Sequence, residues 1–324
     1  MKIPRRSALV ALAAFLLTPL PAFAQKLSDK TITFVVPTTA GTSMDILARL
    51  MADEIKQRWG QTAIVENKAG ASHSIGIQMV ARAEPDGHTL LVAANTLVTN
   101  VGLFKTLPYD PVKGVVPVAE LAIGALALAV HPKLPVNSVR EFIEYAKQRP
   151  GQINYASPGP GTTQHLAMEL FKLATQLDLT HVPYPGSAGA ARDLAGGHVS
   201  VMFIPLQQAL PMVDAKAIRL LALSTAQRFS QAPNVPTLAE EGIKGAEVDS
   251  WFGLLATGGT PRPVIERYNA FVNNFLKSPR IRTSLETQAL LPRGGSADSF
   301  RDLIVKDLER WTRLVREAGI AVAQ

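Results

Sequence analysis

Three short loops carry most of the groups able to bind a ligand: TTAGTS at 38–43, ANTLVTN at 94–100 and SPGPGTT at 157–163. Each follows a run with strand composition. A helix that starts at such a loop presents unpaired backbone N–H groups and about half a positive charge. Glycine lets that backbone approach a ligand closely, and Ser and Thr add hydroxyl donors. TTAGTS and SPGPGTT contain neither Lys nor Arg. A site built from amides and hydroxyls suits a carboxylate held by neutral donors. It releases the ligand without stranding a buried charge. Either loop alone reads as an ordinary turn and cap. Two such loops in matching places of two similar halves point to a ligand.

Bond-making chemistry finds little support. The chain has no G-x-S-x-G elbow and no G-x-x-x-x-G-K-[ST] loop. In GPGTTQ, Gln164 stands where a dinucleotide fingerprint needs its third glycine. The six histidines, at 73, 88, 131, 165, 181 and 198, form no H-x-x-x-H or H-E-x-x-H pair, so no metal site is expected. His165 is the one on a candidate loop, in the first turn of its helix. Asp45 occupies the first turn of another, where it suits the helix dipole and can tie down TTAGTS. Trp251, in DSWFG, falls on a strand near the junction of the two halves, where a core role is expected.

The elements that position these loops follow a regular pattern. Residues 1–24 read as an export leader. Lys2, Arg5 and Arg6 precede an apolar run from Ser7 to Leu20, and Ala22-Phe23-Ala24 fits cleavage before Gln25. The run is shorter than the ~20 residues of a membrane span. TITFVVP, TAIVEN and the run ending TLLVAA are strands separated by helices, the pattern of a parallel sheet with helices on its faces. The apolar stretch from Val115 to Val130 is one buried strand or two. The alternation then repeats through INYAS, LTHVPY, VSVMFIP and IRLLALST, and two long helices close the chain. Two α/β lobes joined by crossing strands predict a cleft, with ligand beyond the carboxyl ends of the strands.

The 324-residue chain has no cysteine, which excludes a disulfide framework, a thiolate metal site and a lipid anchor on an N-terminal cysteine. Its formal charge is +7, three units of which belong to the leader. The remaining Lys and Arg are scattered, without basic runs, so nucleic-acid binding is not supported.

A series of motifs resembles the Bug family of extracytoplasmic solute receptors of tripartite tricarboxylate transporters. They include P-x-x-x-G-x-x-x-D-I-x-A-R-L from Pro37, V-E-N-K-x-G-A from Val65, P-D-G-H-T-L-L from Pro85 and L-P-Y-D-P-V-K from Leu107. N-Y-A-S-x-G-x-G-T from Asn154, H-V-P-Y from His181, L-A-G-G-H-V-S-V-M-F from Leu194 and S-W-F-G-L from Ser250 complete the series in order.

The resemblance implies a two-lobed periplasmic binding protein of the type II-like, hinge-closing kind, each lobe a mainly parallel sheet flanked by helices. It implies one lobe from 25–121 and 229–324 and the other from 122–228. It implies a monomeric, non-catalytic receptor, without cofactor, that passes a small organic carboxylate to integral membrane transporter subunits. Carried over by position, Thr39, Ala40, Gly41, Thr42 and Ser43 clasp the carboxylate from one side. Ser157, Pro160, Gly161, Thr162 and Thr163 clasp it from the other, and Asn95 and Thr96 add contacts. The chain departs from the family in having Thr38, Thr39 and Ala40 in a loop usually richer in Pro and Gly, and Met44 where Thr or Ser is common. Ile204 and Pro205 follow the V-M-F strand where the family often has Asp. That change argues against an amino-acid ligand and for a less polar distal end, as in an aliphatic or aromatic carboxylate. Two other readings stay open: a sensor subunit for a membrane signalling protein, and a periplasmic hydrolase using Ser or Thr near His165.

Overall fold

The computed structural model describes residues 27–317, so the leader and its cleavage site at Ala24 lie outside the described residues. The first strand, β1 (Ile32–Val36), is almost wholly buried and pairs in parallel with β2 (Ala63–Asn67) and β3 (Thr89–Ala94). Helices α1 (Ser43–Trp59) and α2 (Ser74–Ala81) make the crossovers. In α1, Met44, Leu47, Ala48, Met51 and Ile55 recur at helical spacing and form the buried stripe. A further helix, α3 (Thr96–Leu103), follows β3 directly, so ANTLVTN is a helix start and not a loop.

The stretch from Val115 forms β4 (Val115–Gly124) and, after the single residue Ala125, β5 (Leu126–Val130). The first belongs to one sheet and the second to the other, so one apolar run carries the chain between lobes. Beyond it come α4 (Val139–Lys147), β6 (Asn154–Ser157), α5 (Thr163–Thr175), β7 (Thr180–Pro183) and α6 (Ser187–Gly196). β8 (Val201–Pro205), α7 (Leu206–Asp214) and β9 (Arg219–Leu223) end this part. The chain returns through β10 (Ser250–Thr257), then α8 (Arg262–Phe275), α9 (Pro279–Thr287), β11 (Leu290–Pro292) and α10 (Ala297–Glu317).

The two sheets have the orders β11-β4-β10-β3-β1-β2 and β7-β6-β8-β5-β9. The strands flanked by helical crossovers pair in parallel, β2–β1–β3 and β7–β6–β8. The strands that pass between lobes run antiparallel to their neighbours, β10 against β3 and β4, β5 against β8 and β9. Both sheets are therefore mixed, because the crossing strands enter each sheet from its far side.

Hydrogen bonds tie together the chain segments at the two crossings. Ser224 is buried; its N–H donates to Leu126 O (2.8 Å) and its Oγ to Val248 O (2.6 Å). Trp251 is buried as expected, edge-on to Phe300, and its Nε1–H donates to Asp307 at 2.7 Å.

Candidate functional site

The loops that open α1 and α5 are built alike. In the first, Gly41 sits in the left-handed region at φ +85°, and Thr42 is extended as the residue that caps the helix. The Gly41 N–H turns inward and donates to Asp45 Oδ2 at 2.9 Å. In the second, Gly161 is at φ +76°, Thr162 is the extended cap, and the Gly161 N–H donates to His165 Nδ1 at 3.0 Å. The shared pattern is Gly-Thr-Ser/Thr-x-acceptor. The acceptor in the first turn holds the glycine amide, and the left-handed glycine turns the chain into the helix. The first-turn N–H groups of Ser43 and Met44, and of Thr163 and Gln164, have no partner within their helices.

These loops face one cavity of about 630 Å³. Thr39, Gly41, Thr42 and Ser43 line it from the first lobe, and Thr162, Thr163 and Gln164 from the second. The amino ends of four more helices reach the same space: His73 before α2, Thr96 of α3, Ser187 of α6, and Gln207 and Gln208 of α7. Six helix N-termini thus surround a cavity whose described lining contains no Lys, Arg, Asp or Glu. Their dipoles make it electropositive without a formal cation. Gln207 Nε2 donates to Ser43 Oγ across the cleft at 3.3 Å, a direct link between the lobes.

Of the residues anticipated from sequence, Thr39, Gly41, Thr42, Ser43, Thr96, Thr162, Thr163 and Pro205 line the cavity. Six others do not. Asn95 is fully buried and donates to Asp249 O (3.1 Å) and Asp307 (3.3 Å), because α3 starts one residue later and turns the side chain toward α10. Ser157 is buried beneath its loop, with Oγ 2.7 Å from His181 Nε2. Ile204 points into the core, as strand alternation beside cavity-lining Pro205 requires. Ala40 and Pro160 are exposed away from the wall, and Gly161 shapes its loop from behind. The inference of an apolar distal end rested on Ile204, which is not at the wall. The wall beyond Pro205 carries Gln207 and Gln208 instead.

Sequence reasoning missed those glutamines, Phe252 of β10, Gly186-Ser187, and Ala69, Gly70, Ser72 and His73. A signal existed for two of them, since PYPGS and NKAGASHS are also glycine loops between a strand and a helix.

The buried charges have definite consequences. Burial would raise the Asp45 carboxyl, but hydrogen bonds from Arg49, the Gly41 amide and Asn67 outweigh it and hold the group below its usual value. Burial lowers His165 to about 4; it stacks on His181 with centroids 4.2 Å apart. Burial raises Glu120 to about 7, beside Arg293, Asp249 and Asp307.

The signs follow by linkage. The His165 contribution to stability is present above 6.5 and lost as pH falls toward about 4. The Glu120 contribution is present below 4.5 and lost as pH rises through about 7. The two oppose one another. Glu120→Gln is therefore expected to raise the melting temperature near neutral pH by a few degrees, at roughly 2–4 °C per kcal/mol. It is also expected to steepen the rise of stability with pH, measured by calorimetric melts across that window. Melts that superimpose on wild type would contradict it.

The fold and the cavity between its lobes define the class: a two-lobed solute-binding protein. Residues 47–320 match the family model described as the tripartite tricarboxylate transporter family receptor, TctC. The chain belongs to that family. It is 32% identical to protein BugT of Bordetella pertussis, over 92% of this chain and 92% of that one. Among solved structures, it resembles R. palustris Rpa4515 with adipate, with a TM-score of 0.81 and 37% identity, covering 90% of this chain and 98% of that one. It also resembles MatC (Rpa3494) from Rhodopseudomonas palustris with bound malate, with a TM-score of 0.77 and 31% identity, covering 88% and 98%. The family is that of receptors of tripartite tricarboxylate transporters.

Proposed function

We propose that the chain is a periplasmic receptor that captures a small organic carboxylate between its lobes and presents it to the membrane subunits of a tripartite transporter. The observation that carries this reading is the convergence of six helix N-termini on a cavity without charged side chains. Such a site rewards an anion and asks for no counter-charge. In this reading the carboxylate rests on the first-turn amides of α1 and α5, with hydroxyls from Thr42, Ser43, Thr162 and Thr163. The relatives solved with adipate and malate support the ligand class.

The lobes anticipated as 25–121 with 229–324, and 122–228, have their boundaries shifted to Ala125 and to the residues just before β10, because Ala122–Gly124 pair with β10 and β11 and Thr237 bridges Leu223 of β9. The hinge lies at the strands that cross between the sheets. The ligand shifts the population toward the closed form because it touches both lobes only there. The leader is removed after Ala24, and the mature chain acts as a monomer in the periplasm. No described helix is long and apolar enough to cross a membrane.

A panel of organic acids tests the reading. At a hundredfold excess over Kd, one bound acid adds about 2.7 kcal/mol and raises the melting temperature accordingly. A panel of mono-, di- and tricarboxylates that leaves the melting temperature unmoved would overturn the proposal.

A further inference from the structure

The segment before α2 holds an unusual backbone. Ala71, Ser72 and His73 follow one another in the left-handed region, at φ 45°, 48° and 73°. That region suits glycine and is costly for residues with a Cβ. Three in succession at a cavity wall mark a segment that its surroundings hold in place. The restraints come from α3. Asn100 Nδ2 donates to Ser72 O at 2.7 Å and lies 3.2 Å from Tyr109 Oη, and Thr96 Oγ1 is 2.6 Å from His73 Nδ1.

The result is a fixed imidazole at the cavity. Either ring tautomer satisfies this contact; in the one where Nδ1 accepts the Thr96 hydroxyl proton, the ring proton sits on Nε2. No described residue partners Nε2, and it is not among the buried atoms sealed from solvent. The enclosed ring also stays uncharged, because burial lowers its pKa to about 4. In that tautomer a residue lining the cavity carries a neutral N–H donor, on a different element from the α1 and α5 amides.

We propose that His73 is a specificity-determining residue: its Nε2–H donates to a second oxygen of the ligand, so the cavity selects carboxylates that bear another oxygen acceptor over plain aliphatic acids. This rests on the receptor reading and narrows its ligand class. The cost of a left-handed histidine is then balanced by a donor that an unstrained glycine could not supply.

Isothermal titration tests this with length-matched sets, each a straight-chain monocarboxylate, its dicarboxylate and its oxo acid, such as hexanoate, adipate and 5-oxohexanoate. Wild type is expected to prefer an oxygen-bearing member by about tenfold or more, the range of a hydrogen bond to a polar or charged group. In His73→Asn, a residue that tolerates the left-handed backbone, that ratio is expected to collapse toward one, with most of the loss in the oxygen-bearing acid. Thr96→Val, which frees the ring, is expected to lower the ratio partway. Wild-type binding without preference, or a preference that survives both substitutions, would overturn this inference alone. Absence of binding to every acid would overturn the receptor reading and this inference with it.

Discussion

Thr163→Pro is expected to weaken carboxylate binding by about 10–100-fold, the range of a lost hydrogen bond to a charged group, while the fold stays intact. Thr163 is the first residue of α5, where the N–H has no helical partner and proline is well tolerated. The preceding Thr162 has φ −64° and ψ 153°, the extended backbone that a residue before proline adopts. The substitution thus deletes one first-turn amide and the Thr163 hydroxyl while leaving the helix start intact. Thr163→Ala separates amide from hydroxyl, because it keeps the N–H and removes Oγ1. The proline variant is expected to lose much more affinity than the alanine variant. Ser43→Pro makes the same deletion in α1, after Thr42 at φ −81° and ψ 164°, and is expected to show a loss of similar size. Titration calorimetry on the four proteins decides. Proline variants that bind as well as Thr163→Ala would show that the helix amides do not hold the ligand.

Asp45→Asn is expected to cost about 2–4 kcal/mol of unfolding free energy, the range for disrupting a buried, hydrogen-bonded charge. Asp45 Oδ2 accepts from the Gly41 amide and Arg49 Nε, both at 2.9 Å. Oδ1 accepts from Arg49 Nη2 and Asn67 Nδ2, both at 3.0 Å. Whichever way an asparagine is turned, its NH₂ faces two donors. The Gly41 turn then loses its anchor, and ligand affinity is expected to fall as well. Because the Asp45 pKa lies below 3.8, the wild-type contribution is present above that value and lost as pH falls through the lower one. Urea unfolding of the two proteins near neutral pH and at acid pH reads both effects. A loss below about 0.5 kcal/mol near neutrality would mean that the loop is held by other contacts.

Much of this could be read before the structure, and the exceptions have physical causes. The lobes were legible because buried strands and amphipathic helices alternate with clear spacing, as in TITFVVP and the stripe from Met44 to Ile55. α3 was hidden because LVTNVGL is short and has no side-chain cap. α9 was hidden because PRIRTSLET buries only Ile281 and Leu285. At the site, loop chemistry singled out the α1 and α5 turns, since two glycine-threonine strand-to-helix junctions recur in matching places of the two lobes. It did not give side-chain direction. Ser157 and Ile204 are on strands, where one residue of register decides between cavity and core. His73 was invisible because its importance lies in a left-handed backbone and a bond to Thr96, neither of which sequence spacing encodes.

The central claim is that neutral donors from both lobes cage an organic anion. Its most direct test is a crystal structure of the protein grown with the organic acid that most raises its melting temperature. The expected result is a carboxylate within hydrogen-bond distance of the first-turn amides of both α1 and α5, with no Lys or Arg touching it. A carboxylate held by one lobe alone, or by a cation elsewhere on the surface, would contradict the claim.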